Sequence, residues 1–183
     1  MEKIGGKQLL DQYARGRRDF SVIDISEADL FEADLQGINL NGSSLQKSYL
    51  PYSNLSQAQL QQAQLQSAEL SDTKLYQTNL SQANLQQANL SRATLRRANL
   101  RGANLAYTNL QGADLGNADL TDANLNYANL SGANLTKANL SQANLKGTNF
   151  FRSHNVNFSN AYVDFSTIYP DGHRFDCEES GLS

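Results

Sequence analysis

Leucine occupies every fifth position from Leu30 to Leu145, and Phe20, Ile25 and Phe150 extend that frame to 27 consecutive apolar positions. The residue two places before each frame position is small at 24 of the 27 (17 Ala, 3 Ser, 4 Thr), Arg18, Ile23 and Ile38 being the departures. On an α-helix a step of five residues turns the side chain by about 140° net, so the leucines would wind round the whole cylinder and leave no polar face. In a flat strand the side-chain period is two, and an odd spacing would send successive leucines to opposite faces. What remains is a chain that turns once per repeat and encloses its leucines. The frame therefore predicts an all-β solenoid with five residues on each side. The spacing leaves open whether a coil has three sides or four.

A narrow interior holds one large side chain per segment only if the other inward place is nearly empty. Leucine and the small residue before it are the predicted lining. The place just before the leucine is often Asn or Asp, as at Asn84, Asn89, Asn99, Asn104, Asn109, Asp114 and Asp119. These side chains hydrogen-bond nearby backbone, and amides stacked at the ~4.8 Å spacing of adjacent strands form ladders. Gly37, Gly42, Gly102, Gly112, Gly132 and Gly147 all fall on the second place after the frame residue, which marks a recurrent corner.

Units such as Ala83-Asn84-Leu85 and Ala143-Asn144-Leu145 resemble those of the pentapeptide-repeat family over residues 18–150. The resemblance implies a right-handed quadrilateral β-helix with four pentapeptides per coil. Nearly seven such coils, stacked at ~4.8 Å, make a rod on the order of 35 Å long. It also implies pairing through the C-terminal coils, as in many relatives. Relatives are abundant in cyanobacteria, where a few act in developmental signalling through protein contacts.

The ends read differently. Leu9, Leu10, Tyr13 and Ala14 recur at helical spacing among charged residues, and Gly16 follows, so a short helix is predicted within residues 1–17. An open solenoid end exposes core leucines and unpaired strand edges, and this amphipathic helix is the expected N-terminal capping α-helix. After Phe150 the frame slips: Val156-Asn157-Phe158, Ala161-Tyr162-Val163 and Ser166-Thr167-Ile168 are the next units, with a bulge expected around Phe151–Asn155. Pro170-Asp171-Gly172 is a turn signal that ends the coil. The expected divisions are thus 1–17, 18–150, a register-slipped last coil over 151–169, and a polar tail over 170–183. The last coil either caps itself or forms a homodimer.

A net charge of −3 and 39% hydrophobic content fit one soluble domain, and no apolar stretch reaches the ~18 residues of a membrane span. Met1-Glu2-Lys3-Ile4-Gly5-Gly6 lacks the charged-then-apolar pattern of a secretory signal, so a cytoplasmic location is expected. Cys177 is the single cysteine, which excludes an internal disulfide. His173, Asp176 and Cys177 are close enough to raise a nucleophile or metal site, but no phosphate loop, nucleophile elbow or second ligand pair accompanies them. No catalytic residue, cofactor or metal is expected.

Two kinds of surface stand out. Arg92, Arg96, Arg97 and Arg101 crowd one coil, as Asp19, Asp24, Glu27, Asp29, Glu32 and Asp34 crowd the first. The arginines would form a collar for an anionic partner, unless Asp72 one coil before and Asp114, Asp119 and Asp122 after neutralise them. Glu27 and Lys47 are a further pair at the same spacing. Tyr107 and Tyr127, also twenty apart, should stack outside the coil, and Tyr49, Pro51 and Tyr52 make a second aromatic spot. Such tyrosines serve as interface anchors or as plain ladder residues.

Three functional classes follow. A rigid, non-catalytic scaffold or regulatory protein that binds a protein partner fits every feature. The family resemblance offers a DNA-mimic binder of a type II topoisomerase, but residues 18–150 hold 11 acids and 9 bases, a net of −2, far from the one charge per ~1.7 Å of duplex DNA. An enzyme is the weakest reading, because the repeats supply no convergent titratable groups. Direct nucleic-acid binding is not expected at a pI near 5.3.

Overall fold

Residues twenty apart lie side by side: parallel bridges join Asp19 to Asn39, Asn39 to Gln59, and so on in all four columns as far as Asn134 to His154. Each coil therefore has four five-residue sides, which decides the count that spacing left open. The structure is a computed structural model and describes residues 1–174.

One side shows why the pattern repeats. Leu100 N donates to Asp119 O (2.7 Å), Gly102 N to Thr121 O (2.9 Å) and Asn99 N to Thr78 O (3.0 Å), so each side is tied to both neighbouring coils. Within the side, Ala103 N donates back to Leu100 O (3.0 Å) and closes a tight corner. The second residue after the frame position has positive φ at every corner from Val22 to Arg152. That is the third position of a type II turn, where glycine is the easy choice. Only six of these 27 corners carry glycine, so the hydrogen-bond ladder holds 21 other residues in the left-handed region, at a cost on the order of 1 kcal/mol each.

The frame leucines are buried, and the alanines two places before them fill the rest of the tube. Where threonine replaces that alanine its hydroxyl stays satisfied: Thr73, Thr78, Thr108 and Thr148 each donate to a leucine carbonyl 23 residues earlier, at 2.7–2.9 Å. The side chains just before the leucines do two jobs. Their oxygen accepts the amide two residues on, as in Ala106 N to Asn104 Oδ1 (3.2 Å), and their Nδ2 donates to the coil before, as in Asn104 to Asn84 (3.2 Å). The amide ladder expected from sequence is thus present, and it runs in one direction. Asn39 donates to Asp19 and Asn54 to Asp34, so the acid-rich first coil ends two of these ladders with groups that only accept.

At the N-terminus β1 (Glu2–Lys3) adds a parallel strand to β2 (Ile23–Asp24), and α1 (Gly6–Ala14) follows. Ile4 and Leu9 are buried in the core cluster, with Leu10 and Tyr13 packed against it. Gly6 sits so close that an added Cβ would lie 2.5 Å from the Asp29 carbonyl oxygen, so the helix starts directly on the coil. Arg18, the first departure from the small-residue rule, turns outward and lies 3.9 Å over the Tyr13 ring. No helix among the described residues is long and apolar enough to cross a membrane.

The C-terminal register differs in detail from the sequence expectation. His154 still pairs twenty residues back, but the offset falls to 18 at Asn144–Tyr162 and returns to 19 at Asn149–Ile168. The slip starts at Asn155, the last residue of the stretch expected to bulge. Asn155 stands at the frame position, too polar for the core, and instead takes an exposed corner at φ 57, so the side is cut short. One residue is regained before Thr167, whose hydroxyl donates to Leu145 O (2.9 Å), 22 residues back where the other inward threonines reach 23. Thr167 is thus the small inward residue and Tyr169 the frame residue, one place later than the expected Ile168. The turn at Pro170-Asp171-Gly172 folds Arg174 back on Ile168 in an antiparallel bridge. Asp176 and Cys177, part of the weighed tail site, lie outside the described residues.

Candidate interaction surface

Each side of the rod presents three outward columns, and the side that includes residues 28–32, 48–52, 68–72 and 88–92 gathers three exposed aromatic rings into one cluster. Tyr49 and Tyr52 are joined there by Phe31, which the sequence reading missed: its ring stacks on Tyr49 (6.1 Å between centroids, 17°) and meets Tyr52 edge-on (5.9 Å, 80°). The signal was available, since Phe31, Pro51 and Ser71 share a column at intervals of twenty, but it needed the coil length. All three rings are outward and exposed. Beside them runs a shallow trough of about 450 Å³ along Pro51, Ser71 and Ser91, walled by Glu69 and Asn89 on one flank and by Asp72 and Arg92 on the other. It continues past Arg92 over Gly112, Ser131 and Gly132.

The arginines do not act as an open collar. Arg92 grips Asp72 with two parallel bonds, Nε to Oδ1 at 2.9 Å and Nη2 to Oδ2 at 2.6 Å, and this contact raises its already high pKa. Arg96 lies 3.6 Å from Asp114, and Arg101 lies 3.5 Å from Asp119 and 3.8 Å from Asp122. Burial pushes the Asp119 carboxyl up, but hydrogen bonds from Thr121 and the Arg101 charge outweigh it and the net shift is down. Arg97 instead reaches the Tyr76 hydroxyl at 3.2 Å. Three of the four arginines are therefore matched by acids one coil away, and the collar is largely neutral. The ion pairs of the described residues do not include Glu27 with Lys47.

Tyr107 and Tyr127 stack as expected, 5.2 Å apart and 12° from parallel, on a different corner from Tyr52. Each ring turns one face to the other, and both remain exposed. At the C-terminal end Tyr162 and Phe165 are exposed, while His173 stacks on Tyr169 at 4.8 Å and contacts Asp171. No group of three or more His, Cys, Asp or Glu side chains suited to a metal ion occurs among the described residues.

No curated protein matches the sequence. Among solved structures the chain is similar to HetL, a pentapeptide repeat protein involved in heterocyst differentiation regulation from the cyanobacterium Nostoc sp. strain PCC 7120 (26% identity, 94% of this chain and 100% of that one, TM-score 0.50). It is similar to a second pentapeptide repeat protein from Nostoc PCC 7120 (28% identity, 89% and 98%, TM-score 0.40) and to QnrB1, a plasmid-mediated fluoroquinolone resistance protein (16% identity, 89% and 87%, TM-score 0.43). The likeness to HetL implies that the four-sided coil is a right-handed quadrilateral β-helix. The model for pentapeptide repeats matches in eight copies over residues 23–62, 44–82, 83–122 and 113–150, and by that match the chain belongs to the pentapeptide repeat family.

Proposed function

We propose that the chain is a non-catalytic, rigid scaffold that holds a protein partner in a regulatory complex, and that the partner seats on the side bearing Phe31, Tyr49 and Tyr52. The observation that carries this reading is the clustering of three exposed rings, Phe31 lying against both tyrosines, on a rod whose outward places are rich in Gln, Ser and Asn. A tyrosine held on a stiff frame loses little freedom on binding and is a favoured interface anchor. In the adjoining trough Asp72 is paired with Arg92 and Glu69 is held by the Asn89 amide and the Ser71 N–H, which speaks against acid–base catalysis there. A duplex-like surface needs unbroken negative charge, whereas the acids nearest the middle of the rod sit beside arginines. The regulatory part leans on the likeness to HetL. In the same proposal the protein works in the cytoplasm, α1 caps the first coil, and the exposed Tyr162 and Phe165 pair two copies.

The test is a pull-down from source cells with the full chain, using wild type beside Tyr49→Asn/Tyr52→Gln and Tyr107→Gln/Tyr127→Gln. The first variant should lose a specific protein that the second retains. Recovery of nothing above background by wild type, or equal recovery by all three, would remove the reading. Deleting residues 1–17 should promote aggregation, and a truncated chain as soluble as the whole would refute the cap. A monomer mass in analytical ultracentrifugation would refute the pairing.

A further inference from the structure

We infer that the spot formed by Phe31, Tyr49 and Tyr52 takes a cationic side chain, an arginine or lysine on a basic segment of the partner protein. The inference rests on the reading of that side as the working face. Asp29, Tyr49 and Glu69 occupy one place on three successive coils, joined by the Asp29–Tyr49 and Tyr49–Glu69 bridges. Glu32, Tyr52 and Asp72 are the corner residues of the same three coils, at φ 53°, 59° and 57°. Each tyrosine is bracketed by a carboxylate on the coil before and another on the coil after, and Phe31 sets its ring against both tyrosines. Four acids thus surround three rings. Asp72 is matched by Arg92, but no cation among the described residues forms an ion pair with Asp29, Glu32 or Glu69.

Other rings of this chain show the contact that is missing here. Arg17 lies 4.5 Å over Phe20, Arg18 lies 3.9 Å over Tyr13, and Arg152 lies 5.0 Å over Phe151. Among the described residues no guanidinium lies over the face of Phe31, Tyr49 or Tyr52; Arg92 is turned to Asp72 by two hydrogen bonds and meets Tyr52 at its hydroxyl, not over its ring. A cation over an aromatic face is attracted by the ring quadrupole, and flanking carboxylates add to that attraction. An acidic segment would meet three carboxylates that lack a countercharge, and a purely apolar one would desolvate them with only the Asn89 amide and Ser71 N–H on Glu69 and the Phe31 N–H on Asp29 to compensate. The trough along Ser71 and Ser91, with small side chains on its floor, gives an extended segment room to lie beside the rings.

The experiment titrates the full ¹⁵N-labelled chain with a capped peptide of alternating glycine and arginine at about 0.15 M salt, where distant charges are screened. The expected result is saturable shifts confined to residues 28–32, 48–52 and 68–72. Tyr49→Asn/Tyr52→Gln, which keeps every charge, and Glu32→Gln/Glu69→Gln, which keeps every ring, should each weaken binding by about tenfold or more. Glu27→Gln, which removes one carboxylate on another corner, should leave it unchanged. Shifts spread over the whole acidic first coil, equal binding by the tyrosine variant, or equal binding of an alternating glycine–glutamate peptide would overturn the inference. A partner recovered equally by wild type and a Glu32→Gln/Glu69→Gln chain, yet lost by the tyrosine variant, would overturn it while leaving the scaffold reading intact.

Discussion

The Tyr127 ring lies parallel on that of Tyr107, 5.2 Å away, and its other side covers Gly147, where an added Cβ would strike the ring. Position 147 continues the column of 107 and 127, so the tyrosine stack ends on a glycine because only a bare backbone leaves room for it. Gly147 also has φ 66°, which adds a backbone cost to any side chain there. Gly147→Ala should lose about 2 kcal/mol, combining left-handed strain with a disturbed ring stack. Gly132→Ala has the same strain (φ 68°) but meets nothing within 4 Å, and should lose about 1 kcal/mol. Urea unfolding of both checks the difference, and equal losses would contradict the packing of ring on glycine.

The inward small positions make a second prediction. Ser53 Oγ is buried with no hydrogen-bond partner among the described residues, whereas Thr108 at the equivalent place donates to Leu85 O at 2.9 Å. Ser53→Ala should stabilise by about 1 kcal/mol by removing an unsatisfied hydroxyl, which raises Tm by roughly 2–4 °C in a chain of this size. Thr108→Ala should lower Tm, since it removes a made bond and leaves a small void. A fall in Tm for Ser53→Ala would show that its hydroxyl is satisfied.

Acid sensitivity follows from the first coil. The Asp19 carboxyl is held below its ordinary 3.8 chiefly by the Ser21 amide, and that of Asp24 chiefly by the Ser26 hydroxyl and then its amide. The fold favours the ionised forms, so their contribution is complete above about 3.8 and drains away as pH falls through the lowered values. Tm should be flat down to about pH 5 and drop below pH 4. Asp19→Asn/Asp24→Asn, which keeps the turn-forming oxygens, should flatten part of the drop, the rest belonging to Asp119, Asp164 and Asp171, whose carboxyls are also held low. An unchanged acid limb in that variant would place the titrating groups elsewhere.

Much of the fold was legible because one rule repeats. The leucine frame, the small neighbour, the Asn ladder and the glycine corners each follow from sterics that any single repeat displays. The corner itself was only half visible: six glycines revealed it, but residues such as Val22 and Tyr52 also take positive φ, which no local preference favours. The last coil resisted because Asn155 keeps the fivefold count while failing the burial test, and a small register change then moved the frame from Ile168 to Tyr169. Phe31 was overlooked for a different reason. Its neighbours Tyr49 and Tyr52 are 18 and 21 residues away, and only the twenty-residue coil brings them to its ring. The arginine collar dissolved by the same geometry, since Asp72, Asp114, Asp119 and Asp122 come to lie alongside.

The most direct test of the account is hydroxyl-radical footprinting of the full chain alone and bound to its captured partner, because exposed tyrosine and phenylalanine report side-chain contact. The account predicts protection of Phe31, Tyr49 and Tyr52 with Tyr107 and Tyr127 unchanged. Protection of Tyr107 and Tyr127 in their place, or of none of the five, would contradict it.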